Sequence, residues 1–143
     1  MKQFSGIFLI FFMVSCTSNI EKSIENSPNN DIDELSNAFK ELVSNMTLLQ
    51  NEVMLINATQ PSIQRILKQA DSLWVNGEPV KASLELERAL RISKNESSVY
   101  LRLAHIRLEE GLEKEAKAFA AKGLLIKNIS SWERFILKIY SEI

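Results

Sequence analysis

The chain has 143 residues, 45% of them hydrophobic and 24% charged, which suits one modest core and is too short for two. Its 17 basic and 18 acidic side chains nearly cancel, so there is no cationic surplus to drive counterion release, and a nucleic-acid partner is disfavoured. One cysteine and one histidine exclude an internal disulfide and the usual zinc spacings, and 4 Gly with 3 Pro leave few tight turns for a β-sandwich.

The N-terminus carries Lys2 and then eleven mostly apolar residues, 4–14, before turning polar at Ser15. That is the layout of a secretory signal, and it falls short of the ~20 apolar residues a membrane-spanning helix needs. Met13-Val14-Ser15-Cys16 resembles the bacterial lipobox, with Met13 where Leu is commonest in that family. The resemblance implies a signal peptide over 1–15 and a mature chain that begins at Cys16. It also implies a diacylglycerol on the Cys16 thiol and an N-acyl chain on the new amine, with no other cofactor. Several acyl chains hold a protein firmly because each buried methylene contributes roughly 0.8 kcal/mol. Thr17, where a retention Asp would stand in enteric lipoproteins, implies the outer membrane, with the protein facing the periplasm. The bland alternative is a plain secretory signal or uncleaved anchor with a chance cysteine.

Residues 16–30 are rich in Ser, Asn and Glu, include Pro28, and read as a tether reaching roughly 20 Å. Over 31–60 the apolar residues Ile32, Leu35, Phe39, Leu42, Met46, Leu49, Val53 and Ile56 fall three and four apart. This spacing predicts an amphipathic helix opened by Asn30 or Asp31 and ended before Pro61. Val43, Leu48, Met54 and Leu55 widen its apolar surface, which favours a helix folded back on the chain. Self-association through a coiled-coil seam is the alternative.

After Pro61 the sequence repeats with a shift of 34 residues, 63–96 upon 97–130. Ala70 falls on Ala104, Gly77 on Gly111, Ala82 on Ala116, Ala89 on Gly123 and Leu90 on Leu124. The small residues suit close helix crossings, the glycines suit reversals with positive φ, and Pro79 suits a first helical turn. This period, with Tyr100-x-x-Leu103-Ala104, resembles the tetratricopeptide repeat. The chain departs from that family at Ile66, Gln69, Leu86 and Ala120, and Lys94 and Asn128 stand for its closing proline.

Residues 131–143 begin like a capping box, Ser130 with Glu133, and carry an apolar stripe that resembles the helix closing such arrays. The expected architecture is all-α: an N-terminal amphipathic helix, two helical pairs and a C-terminal cap, with 61–143 as one tetratricopeptide-like domain.

In that family the first helix of each pair lines a concave groove. The resemblance places Gln64, Leu67, Asp71 and Trp74 in the groove, with Ser98, Leu101, His105 and Leu108 as their counterparts 34 residues on. Apolar anchors with one acid and one imidazole would take a helix or extended peptide. The alternative is that these residues pack against neighbouring helices, or lie under the helix at 31–57. A lone His105 makes a poor metal site, and the run from Glu109 to Glu115 reads as a solvated helix face.

There is no phosphate loop, nucleophile elbow or His-Glu-x-x-His, so no catalytic residue is assigned. The expected role is a membrane-anchored, non-enzymatic scaffold for a protein partner of the cell envelope. A self-associating structural lipoprotein and an accessory subunit of an envelope enzyme are the alternatives.

Overall fold

The computed structural model describes residues 37–38 and 40–143. The readings on 1–36 and on Phe39, namely the signal, Cys16, the tether and the start of the seam, lie outside them. Among the described residues every regular element is an α-helix. A short helical stretch at 40–44 precedes α1 (Met46–Leu55), α2 (Pro61–Val75), α3 (Pro79–Ile92), α4 (Ser97–Glu109), α5 (Glu113–Leu124) and α6 (Ser131–Glu142). None of the described helices is long and apolar enough to cross a membrane.

The amphipathic segment is not one continuous helix. Asn45 leaves helical geometry at φ −111° and ψ 94°, and its side-chain oxygen accepts from the Leu48 N–H at 3.0 Å, so it caps a new helix. An asparagine competes well for this position because its amide replaces one of the missing backbone partners of a first turn. The described part of the seam nevertheless points inward: Leu42, Leu49 and Val53 are buried, and α1 packs across α4.

Two helical hairpins follow, α2 with α3 and α4 with α5, and they reverse in the same way. Gly77 and Gly111 take φ of 78° and 74°. In each turn the glycine N–H donates three residues back and the next N–H five residues back: Glu78 to the Leu73 carbonyl at 2.9 Å, Leu112 to that of Arg107 at 2.8 Å. This double closure satisfies the last carbonyls of α2 and α4, and its left-handed residue is the one glycine reaches without strain. Pro61 and Pro79 sit in the first turns of α2 and α3, where a missing N–H removes no bond.

Small residues set the helix separations. Ala70, Ala82, Ala89, Ala104, Ala116 and Gly123 are all buried. Gly123 is the tightest: a Cβ there would stand 2.7 Å from Leu137 Cδ2 and 3.1 Å from Tyr100 Cβ, so α5, α6 and α4 meet at a glycine-sized gap. Ser130 and Glu133 form the capping box that starts α6, with Ser130 N–H donating to Glu133 at 2.7 Å and Glu133 N–H to Ser130 at 3.1 Å.

α4 is the centre of the stack. It packs on α1, α3, α5 and α6, and every residue over 97–106 is buried. Such a helix cannot keep a polar face in water, so its polar residues need partners inside the protein.

Candidate partner-binding face

α2, α4 and α1 meet along one face, and its polar anchor is Arg102. This arginine has no accessible surface. Its Nε and Nη2 donate to the two carboxylate oxygens of Asp71 at 2.7 and 2.9 Å. Nη2 also donates to the Met54 carbonyl at 3.1 Å, and Nη1 to the carbonyls of Ile56 at 3.0 Å and Ser98 at 3.1 Å. A guanidinium has five N–H donors, and all five are used. Two of the carbonyls end α1, where unsatisfied oxygens and the helix dipole favour a cation. Asp71 of α2, Arg102 of α4 and the end of α1 are thus one fork-shaped joint.

Glu96 makes a second joint. It is buried, and its carboxylate accepts from the Thr59 N–H at 2.9 Å, the Thr59 hydroxyl at 2.7 Å and the Gln60 N–H at 3.0 Å. No side-chain hydrogen bond caps α2; Glu96, from the start of α4, instead fixes the two residues that lead into it. Gln64 pins the same loop, accepting from the Ala58 N–H at 2.6 Å and donating to Asn57 at 3.0 Å.

At the far end of the face lies an aromatic chain. The rings of Trp74 and His105 are 5.1 Å apart, and those of His105 and Tyr140 are 5.7 Å apart, edge to face. Tyr140 Oη sits 2.5 Å from His105 Nδ1, while Nε2 faces Glu109 at 3.3 Å. Glu109 also accepts from Trp74 Nε1 at 2.7 Å. Burial pushes the imidazole pKa down to about 4, so His105 is neutral at pH 7. The neutral ring then accepts a hydrogen bond from the Tyr140 hydroxyl on Nδ1, and its Nε2–H lies near the carboxylate without a hydrogen bond to it. Burial first, and the Glu109 charge second, hold Tyr140 above the usual phenol range, so it stays a donor.

All eight residues expected to line a groove come to α2 and α4, but they do not line an open one. Leu67, Ser98, Leu101 and His105 have no accessible surface and Trp74 keeps 5%; Gln64, Asp71 and Leu108 are half-buried. The reason is α1. Leu49 and Val53 share their core, and burying two such side chains stabilises the seated helix by roughly 3–6 kcal/mol. What remains open flanks α1. Val43, Met46, Leu108, Glu109 and Ile143 line a cleft of about 610 Å³, and Glu109 with Trp74, Val75 and the α1 residues Gln50, Asn51 and Met54 lines one of about 390 Å³.

His105 is therefore a core residue, while the acidic run is mostly exposed, as a solvated helix face would be, and is held by pairings that reach other helices. Glu109 is tied to Trp74, and Arg107 joins Glu110 at 2.7 Å, Glu115 at 3.1 Å and Glu87 at 3.3 Å, a network linking α3, α4 and α5. Arg102, Glu96, Glu109 and Tyr140 escaped the sequence reading. Arg102 left a signal: it stands alone among Val99, Tyr100, Leu101, Leu103 and Ala104, where an arginine is expensive unless fully bonded. Glu96 left none.

Among the described residues no group of three or more His, Cys, Asp or Glu is placed to hold a metal. The buried Arg102, Glu96 and His105 are spent on joining helices, and two clefts lie open beside α1. No protein-family model, no curated protein sequence and no solved structure matches this chain.

Proposed function

We propose that this chain is a membrane-anchored scaffold of the cell envelope, lipidated at Cys16, whose tetratricopeptide-like hairpins bind a protein partner. The observation that carries the reading is the 34-residue repetition. It recurs as two hairpins with glycines at matching positive φ and buried small residues at matching crossings. The lipobox-like Met13–Cys16 motif supplies the anchor, and the half-open face between α2, α4 and α1 supplies the surface.

In this reading α1 occupies the face as a helical ligand would. A partner either adds to the flanking clefts or replaces α1 by offering its own apolar side chains and its own terminal carbonyls to Arg102. The alternative of self-association through the seam loses ground because Leu42, Leu49 and Val53 are already buried within one chain.

Two measurements test the halves of the proposal. Metabolic labelling with an alkyne fatty acid should mark the protein and fail with Cys16→Ala; an unlabelled native chain overturns the anchor. A photoreactive residue at Leu108, in the larger cleft, should crosslink to a distinct envelope protein in intact cells. Crosslinks confined to the chain itself overturn the scaffold role.

A further inference from the structure

The two ends of the helical stack differ in chemistry. Hydrogen bonds define one end. Glu96 joins the starts of α2 and α4, Gln60 donates to Ser93 between the start of α2 and the end of α3, and Ser97 bonds Glu133 between α4 and α6. Gly123 brings the end of α5 against Tyr100 and Leu137, and Arg102 holds the end of α1 nearby.

Four large apolar side chains stand in water there: Leu55 at 71% exposure, Ile92 at 56%, Leu125 at 82% and Trp132 at 43%. Around them are the exposed cations Arg91, Lys94, Lys122, Lys127 and Arg134. The carboxylates of the same end, Glu96 and Glu133, are turned inward: Glu96 to Thr59 and Gln60, Glu133 to Ser97 and Ser130. The bonds from Ser97 and Ser130 outweigh burial and hold Glu133 below the usual carboxylate range.

The opposite end has no such cationic surplus. Glu78, Glu110, Glu113, Glu115 and Glu142 stand there among cations that are paired or interleaved with them: Lys81 joins Glu78, Lys114 lies between Glu113 and Glu115, and Arg107 is shared among three carboxylates. Val75, Val80, Leu112 and Ile143 are exposed there too, so charge is what separates the two ends.

We propose that the basic, apolar end is a membrane-contact surface that lays the folded domain on an anionic phospholipid bilayer. Cations there are drawn to lipid headgroups, while Leu55, Ile92, Leu125 and Trp132 enter the interfacial layer, where an indole ring is most at home. A soluble polyanion would use the cations and gain nothing from four apolar side chains held in water. The charge asymmetry also sets orientation: only one end carries a surplus of cations over carboxylates, so the clefts beside Glu109, at the other end, face away from the membrane.

This surface deepens the anchored-scaffold reading, which supplies a tether and no orientation. It rests on that reading only for the high local concentration of the domain at a bilayer.

The test uses the full chain reconstituted into vesicles with brominated acyl chains, either phosphatidylcholine alone or phosphatidylcholine with phosphatidylglycerol. The chain has two tryptophans, Trp74 is buried, and Trp132→Phe sets the background, so bromine quenching reads Trp132. Quenching should be several-fold stronger with phosphatidylglycerol and weaken in about 0.5 M salt. It should also fall roughly fivefold when Lys122→Glu and Lys127→Glu are combined, changes to exposed side chains that leave the core untouched.

A chain that floats with both vesicles while Trp132 stays unquenched overturns this proposal, leaves the tether standing and turns the basic end toward an acidic protein. A chain that floats with phosphatidylglycerol alone, and is quenched there, supports it and overturns the tether. Floating with neither overturns both.

Discussion

α2 and α4 hold equivalent places 34 residues apart, yet they live in different surroundings. α2 buries one stripe, Ile63, Leu67, Ala70 and Trp74. α4 buries everything over 97–106. At matching positions Lys68 is exposed while Arg102 has no accessible surface, and Asp71 is half-buried while His105 is fully enclosed. The repeat dictates the backbone and the crossings. Place in the stack dictates burial, and with it the polar chemistry each helix must resolve.

The largest expected contrast is therefore between Arg102 and Lys68. Arg102→Ala leaves Asp71 without its bidentate partner and the carbonyls of Met54 and Ile56 without the donors that hold the end of α1. Breaking a buried, fully bonded ion pair costs about 3–5 kcal/mol, and Lys68→Ala, on the surface, stays within about 0.5 kcal/mol. Urea denaturation midpoints report both, and amide exchange should rise first in α1. Equal losses for the two variants would abolish the distinction between the helices.

His105 sharpens the comparison through pH. Its imidazole has an ordinary pKa near 6.5 in the unfolded chain and about 4 in the fold, so the unfolded state binds more protons between those values. Stability present above pH 6.5 is lost on acidification, by about 2 kcal/mol at pH 5 and roughly 3 kcal/mol below pH 4. The chain has one histidine, which makes assignment direct: in His105→Asn the slope between pH 7 and 5 should vanish. A wild-type stability that is flat over that window would mean the ring is not enclosed.

How much of this was readable beforehand follows the same division. Gly77, Gly111, Pro79 and the capping box at Ser130 and Glu133 act through their own backbone geometry, so sequence spacing located them. Spacing also locates the stripe from Gln64 to Leu108 and offers the helix at 31–57 as its cover, but it cannot choose between a covered stripe and an open groove, because exposure depends on which helix lies on top. The break at Asn45 is hidden for a local reason: apolar spacing runs through it undisturbed while its amide caps α1. Arg102 and Glu96 act across 31 to 48 residues of sequence, on Asp71, Thr59, Gln60 and the end of α1, and no short-range pattern encodes those partners.

Gly123 and its counterpart Ala89 ask whether the two hairpins are packed alike. Gly123→Ala brings a Cβ against the terminal methyls of Leu137, a fully buried side chain, and against Tyr100 Cβ, which is fixed to α4. Overpacking of this kind costs about 1–3 kcal/mol, and the better helix propensity of alanine returns up to about 1 kcal/mol. The expected net loss is about 1–2 kcal/mol in thermal or urea unfolding. A stabilised variant would place the crossing of α5 and α6 at an alanine distance, like that at Ala89.

The turns are where the hairpins should stop differing. Gly77 and Gly111 have φ of 78° and 74° and nothing within 4 Å of an added Cβ, so Gly→Ala there meets only the backbone penalty of the left-handed region. That penalty is about 1 kcal/mol and owes nothing to burial. Gly77→Ala and Gly111→Ala should therefore destabilise by equal amounts within about 0.5 kcal/mol, although one turn follows the outer helix α2 and the other the central helix α4. If the second loss is much the larger, the reversal after α4 is coupled to the Arg107 network beside it, and the separation of backbone pattern from stack position fails at the turns.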